Sequence, residues 1–416
     1  MNMEPAVHTD PLAMPRAVYH FWLAFLAALF YGFPSRRLIV VGVTGTKGKS
    51  STLEYLNAIY EAAGWQTALL GTIRMKIAAS TKPNRKRMTM PGRFGIQRFL
   101  KEAADAGCRI AFIEMTSEGA RQYRHRFIQL DALLFINLAP EHIESHGSLA
   151  AYSDAKFELG KHLARSSKKM RYMVANADDA QSGRYFTLNV EHILPYSLQG
   201  AQPWEAGEDG GYFTFEGTRV DVRLPGAFSL MNALSAVTLA RAMGIPMNAI
   251  VAGIGGLKHI PGRAEDIQEG QAFTVVVDYA HTPDSLKAIY DAYPSRRKIC
   301  ILGSTGGGRD TWKRPVMGRI AEESCEYVIL TNEDPYDEAP ESIVAMIASG
   351  MKEKKPEIIM DRRKAINRAL SLARASDVVL ITGKGTDPTM QGPRGTSIVW
   401  SDSQVTREEI RNILRK

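Results

Sequence analysis

Short apolar runs recur along the chain and set its architecture. Residues 38–43, 67–71, 110–115, 132–136 and 171–175 read as buried strands, with helical stretches between them. Such alternation predicts a mainly parallel sheet with helices on both faces. The segment 94–105 reads as a helix opened by a polar, basic loop over 80–93, 198–217 as a Gly-rich, acidic hairpin excursion, and 228–243 as an amphipathic helix. A boundary falls at Ile260-Pro261-Gly262-Arg263. Beyond it a second α/β series begins: strands 273–277, 298–302, 327–330 and 377–382, and helices 283–292, 315–323, 340–351 and 362–375. The chain thus divides into an N-terminal segment 1–37, a central domain 38–260 and a C-terminal, Rossmann-like α/β domain 261–416. No internal repeat interrupts this plan.

Ahead of the first strand, Tyr19–Pro34 is apolar on nearly every side of a helix. It is shorter than the ~20 residues that cross a bilayer, and it lacks the basic leader and cleavage site of a signal peptide. Two placements stay open: packed on the first strand, or resting peripherally on a membrane through residues 18–34, beside Arg36 and Arg37.

The apolar run at 38 passes into Gly42-Val-Thr-Gly45-Thr46-Lys47-Gly48-Lys49-Ser50-Ser51-Thr52, and then into Leu53, Leu56 and Ile59 at helical spacing. A strand, a glycine turn and a helix start make a phosphate cradle. Glycines let the backbone approach an anion, and free N–H groups and the helix dipole attract it. Lys49 reaches terminal phosphates and the Ser50 hydroxyl suits Mg²⁺.

Composition bounds the class. The chain has 416 residues, 45% hydrophobic and 23% charged, enough for two or three domains. A net charge of +8 is compatible with anionic substrates, and no aromatic-interleaved basic run points to nucleic acid. Cys108, Cys300 and Cys325 are odd in number and widely spaced, which predicts neither a disulfide framework nor a metal cluster and fits a reducing cytoplasm.

Polar residues gather where strands end, the side on which α/β sheets hold ligands. Glu114 follows 110–113 and suits the Mg²⁺ of a nucleotide. Glu141, His142, Glu144 and His146 follow 132–136, as donors for a hard metal. Asp278 and His281 follow 273–277, suited to a ribose hydroxyl and to phosphate or adenine. Gly306, Gly307, Gly308 and Arg309, with Lys313 and Arg314, follow 298–302 as a second anion site. Asn332-Glu333-Asp334-Pro335-Tyr336-Asp337-Glu338 is an acidic loop suited to a cationic amine.

Taken together, Thr44-Gly45-Thr46-x-Gly48-Lys49, Glu114-x-x-Ser117, Asn137-Leu-x-x-Glu141-His142, Tyr152-x-x-x-Lys156, Gly226-x-Phe228-x-x-x-Asn232, Pro261-Gly262-Arg263-x-Glu265, Asp278-Tyr-Ala-His281-Thr-Pro-Asp284 and Lys313-Arg314-Pro315 resemble the Mur ligases, and among them the MurE type. The resemblance runs from about residue 38 to the end. It implies a cytoplasmic, monomeric, ATP- and Mg²⁺-dependent ligase that joins an amino acid to a cell-wall peptide precursor through an acyl phosphate. By the same resemblance, Gly45–Ser51, Asn232, Arg263, Asp278 and His281 hold the nucleotide, and Ser50, Glu114, His142 and a carbamylated Lys156 hold Mg²⁺. Lys49, Lys156, His142 and Glu114 form the catalytic set. Thr89, Met90 and Ser117 contact the acceptor, and Arg309, Glu333, Asp334, Tyr336 and Asp387 the amino acid.

The departures are specific. Only 37 residues precede the first strand, too few for the family's UDP-gripping domain, so the acceptor is expected to be held differently or to be lipid-linked. Glu118 stands where the family has His. Tyr336 replaces an arginine that binds the distal carboxylate of diaminopimelate, which favours lysine as the added amino acid. Asp387 replaces an amine-binding Glu. The alternatives are a folylpolyglutamate or poly-γ-glutamate synthetase and, from another class, a non-catalytic nucleotide-binding partner subunit.

Overall fold

The computed structural model describes residues 13–84, 88–141 and 143–415. Two sheets organise it, one on each side of the turn Ile260–Arg263. The first runs Ser80–Pro83, Arg74–Ile77, Thr67–Leu70, Ile110–Glu114, Ile39–Thr44, Ala132–Phe135, Tyr172–Asn176, His192–Tyr196. The last six strands in that order are mutually parallel. Ile39–Thr44 lies in the middle, Val41 opposite both Phe112 and Ala132. Its side chains alternate between two cores, as the two-residue period of a strand demands. Val41 and Val43 meet Leu53, Leu56 and Ile59 of the helix Lys49–Ala62. Val40 meets Ile96, Phe99 and Leu100 of the helix Arg93–Asp105. A strand buried on both faces reads as an unbroken apolar run, which is why it was visible in sequence.

The polar stretch at 80 is not simply a loop. Arg74–Ile77 and Ser80–Pro83 form an antiparallel hairpin at the edge of the sheet. All four residues of the outer strand are exposed, so no apolar alternation announces it, and Lys82 and Pro83 blunt the free edge. The excursion after 197 becomes a small antiparallel sheet, Glu205–Gly207, Gly210–Phe215 and Thr218–Val222. The helix Ala227–Ala242 that follows is buried along most of its length, packed on Lys49–Ala62.

The second sheet runs Glu265–Asp266, Thr274–Val277, Val378–Ile381, Lys298–Leu302, Tyr327–Leu330, Glu357–Ile358, with the first strand antiparallel and the rest parallel. Its C-terminal helix, Asp402–Leu414, is tied to the helix Arg362–Leu372 by the buried pair Arg362–Asp402, at 2.7 and 2.8 Å.

Two expectations are corrected. Cys300 and Cys325 form a disulfide: Cys300 lies in a strand and Cys325 caps the helix Lys313–Ser324, which the fold folds back against it. Cys108 is free and buried. The apolar N-terminal helix spans Ala13–Phe30 and packs Ala24, Ala27 and Ala28 toward Arg93–Asp105, not on the first strand. Among the described residues no helix is long and apolar enough to cross a membrane.

Candidate active site

The turn between Ile39–Thr44 and Lys49–Ala62 is held open by its neighbours. Asn137, just beyond the adjacent strand, accepts the Thr46 N–H at its carbonyl (2.9 Å) and the Lys47 N–H at Oδ1 (2.9 Å). The Thr46 hydroxyl accepts the Ala139 N–H (3.0 Å). Gly48 has φ +82°, and a Cβ there would fall 2.2 Å from Asn232 Oδ1. A left-handed turn against a neighbouring side chain requires glycine. The result is a concave loop at a helix N-terminus, a shape that fits the phosphates of a nucleotide.

Two buried lysines meet at this loop. Lys49 Nζ donates to the carbonyls of Gly45 and Thr46, both at 2.9 Å. Lys156, on the helix Leu149–Ala164, donates to the same Gly45 carbonyl at 2.8 Å. Burial lowers the pKa of Lys49, and burial together with the Lys49 charge lowers that of Lys156 well below the usual lysine range. Both amines are thus biased toward neutrality. Glu114 is buried nearby and accepts the backbone N–H and the hydroxyl of Thr72 (3.1 and 2.8 Å).

The C-terminal half closes over the loop. His281 meets Glu141 at 2.8 Å and Lys47 at 3.4 Å, and Lys47 reaches Glu141 at 3.0 Å. The Ile143 N–H donates to Asp310 at 3.2 Å. Burial, reinforced by Lys47, lowers the His281 pKa to about 4. A cavity of about 320 Å³ lies between the halves, lined by Lys47, Gly48, Ser51, Asn232, Arg263 and Asp278, with Leu224, Phe228, Ala288 and Ile289 as apolar walls. The Arg263 guanidinium sits 4.5 Å from the Tyr279 ring. Both Asp278 oxygens accept backbone N–H groups, of Ala264 and Ala280, and burial raises its pKa.

A second cavity, about 580 Å³, brings together Thr89, Met90, Ser117 and Glu118 from one half with Arg309 and Asp310 from the other. Arg309 lies 5.0 Å over the Tyr336 ring, so a guanidinium stands beside the position at which the acidic loop lacks one.

Two expectations change here, and one falls outside the described residues. Glu141 faces Lys47 and His281, while Glu144 lies beside Asp310, which with burial raises its pKa; the carboxylates do not converge. His142 lies outside the described residues. Among those described, no cluster of three or more His, Cys, Asp or Glu is arranged for a metal. A Mg²⁺ that takes most of its oxygens from phosphates and water needs only one or two carboxylates, and Glu114 and Ser50 are compatible with that. The acidic loop is largely neutralised from within. Lys384, fully buried, donates to Asp334 (2.8 Å) and Asp387 (3.2 Å), and Arg314 makes a two-pronged pair with Glu338. Glu333 accepts the Thr305 hydroxyl at one oxygen (2.9 Å), leaves Oε2 buried without a hydrogen-bond partner among the described residues, and has its pKa raised by burial.

Sequence reasoning gave Lys384 no role, although Gly383-Lys384-Gly385 is one of the stretches that carry the resemblance. It also missed the Lys47–Glu141–His281 contact, whose partners 140 and 234 positions apart left no local signal.

Comparison with known proteins gives matches along most of the chain. The Mur ligase middle domain matches residues 43–240, and the Mur ligase glutamate ligase domain matches 262–385. A UDP-N-acetylmuramoyl-L-alanyl-D-glutamate–2,6-diaminopimelate ligase of Syntrophomonas wolfei is 33% identical over 94% of this chain and 81% of its own. A solved structure of a ligase of that name superposes with a TM-score of 0.63 at 28% identity, covering 91% of this chain and 79% of that one. Folylpolyglutamate synthase of Mycobacterium tuberculosis superposes at 0.69, over 98% and 99%, with 16% identity, a likeness of fold alone.

Proposed function

The chain belongs to the Mur ligase family, and from that premise we propose how its own residues carry out the family's reaction. As a Mur ligase it is an ATP-dependent, ADP-forming enzyme that adds an amino acid to a peptidoglycan precursor. Residues 38–260 are read as the nucleotide-binding domain and 261–416 as the domain that closes on it.

In this reading an acceptor carboxylate oxygen attacks the γ-phosphorus of ATP and the bond to ADP breaks. The amine of the amino acid then attacks the acyl carbon, loses a proton, and expels phosphate along with the carboxylate's oxygen. The Gly45–Ser51 backbone and Lys49 hold the phosphates and oppose charge as it grows on the transferred group. Glu114 and Ser50 would hold Mg²⁺, which would supply positive charge against the phosphates. Asn232, Arg263 and Asp278 position the nucleoside from both domains. Thr89, Met90 and Ser117 line the acceptor's approach, and Arg309 offers a guanidinium to the amino acid's carboxylate.

The observation that carries the finer reading is the pair of buried lysines on the Gly45 carbonyl. Two ammonium groups on one carbonyl repel, and with burial this biases Lys156 toward its neutral form. A neutral amine attacks CO₂, loses a proton and becomes a carbamate, an anion beside the Lys49 cation. Labelled bicarbonate should give a carbamate carbon signal that is absent in Lys156→Ala, and short-chain carboxylates should restore part of that variant's activity. Full activity without either would remove the carbamate.

For the added amino acid we keep lysine. Arg309 serves one carboxylate, Tyr336 supplies no second guanidinium, and Glu333 retains an unmatched acceptor. Phosphate release should be faster with lysine than with diaminopimelate; the reverse order would overturn this part alone.

A further inference from the structure

The helix Ala13–Phe30 uses only part of its surface to hold on to the fold. Ala24, Ala27 and Ala28, no more than 2% exposed, allow close approach to Arg93–Asp105. Phe21 and Phe25 edge against Phe127, at 5.2 and 5.4 Å between ring centres. The opposite face carries Met14, Val18, Trp22, Leu26 and Phe30 at successive four-residue steps, each between 49% and 78% exposed, and Tyr19 and Leu29 widen the stripe. Phe94 continues it onto the neighbouring helix. An unbroken apolar stripe of this length is not ordinary monomer surface.

Charge decides what covers it. No charged residue lies between Arg16 and Arg36. Arg16 stands at one end, Arg36 and Arg37 at the other, and Arg93 and Arg98 on the adjacent helix; Arg37 is paired with Asp105 (2.9 Å) and Arg98 with Glu102 (2.7 Å), so Arg36 and Arg93 carry the argument. Arg36 lies over the Phe33 ring and Arg93 donates to the Gln122 carbonyl; neither has a carboxylate at ion-pair distance among the described residues. The helix is about 27 Å long, short of the roughly 30 Å hydrocarbon core, and one face is already committed. Such a helix is suited to lying along an interface, not to crossing a bilayer.

We propose that the exposed face of Ala13–Phe30 docks into the headgroup region of an anionic phospholipid bilayer, its aromatic and aliphatic side chains inserted and its flanking arginines on the lipid phosphates. A second copy fits less well, because two-fold packing of this face would set like arginines together.

The test floats the full chain with vesicles of phosphatidylglycerol and phosphatidylcholine, and with phosphatidylcholine alone. Binding should require phosphatidylglycerol and weaken as salt is raised. Trp22→Glu with Leu26→Glu should lower the bound fraction by at least about tenfold and leave ATP-dependent phosphate release with a soluble acceptor unchanged. Val18→Ser with Leu29→Ser, a milder change, should weaken binding at an unaltered melting temperature. Arg36→Gln with Arg93→Gln should erase the preference for anionic lipid. Failure of the unsubstituted chain to float with anionic vesicles would overturn the proposal. So would a dimer in sedimentation that the Trp22/Leu26 substitutions dissociate.

Discussion

At the scale of residues, the account rests on one carbonyl and one glycine. Gly45 O receives two lysines, and Gly48 lets the loop turn under Asn232. Lys49→Ala should reduce phosphate release by roughly 10²–10³-fold, the usual consequence of removing a preorganised donor to developing charge, with little change in melting temperature. Gly48→Ala adds a strained left-handed residue, costing about 1–2 kcal/mol, and drives a methyl group into Asn232. A raised KM for ATP and a lowered melting temperature should appear together. The glycines and Lys49 were legible in sequence because a phosphate loop needs those residue types in that order. The partners of Lys47 were not, because nothing local marks an ion pair formed across two halves of a chain.

Among elements, legibility followed burial. Strands such as Ile39–Thr44, covered on both faces, read as continuous apolar runs, and their ends were placed within a residue or two. The hairpin Arg74–Pro83 and the helix Asp402–Leu414 did not announce themselves, because the outer strand is exposed and the helix keeps few buried apolar positions, among them Val405 and Ile410. Much of that helix's attachment is ionic. Arg362 and Asp402 are no more than 2% exposed, and Trp400 also donates to Asp402 at 2.8 Å. Asp402→Ala strands a buried guanidinium, so unfolding in urea should show a loss of about 3–5 kcal/mol, far beyond the effect of an exposed pair such as Lys287–Asp291, worth at most about 1 kcal/mol.

For the whole molecule, the two sheets and their order of appearance were legible, while the clasp between the halves and the Cys300–Cys325 bond were not, since both depend on distant segments meeting. The fold also buries histidines. Burial holds His162 at about 4 and His125 well below the ordinary 6.5. Their folded pKa lies below the unfolded one, so the unfolded chain binds more protons between these values. Their contribution is complete above pH about 6.5 and is lost as pH falls toward 4. Melting temperature should decline across that window, and His162→Gln should flatten the decline.

The most direct test of the central claim follows one oxygen. With ¹⁸O in the acceptor carboxylate, turnover should transfer one labelled atom to the released phosphate, because that oxygen leaves with phosphorus when the amide forms. Unlabelled phosphate alongside a completed amide would contradict an acyl phosphate and, with it, the reading of this cleft.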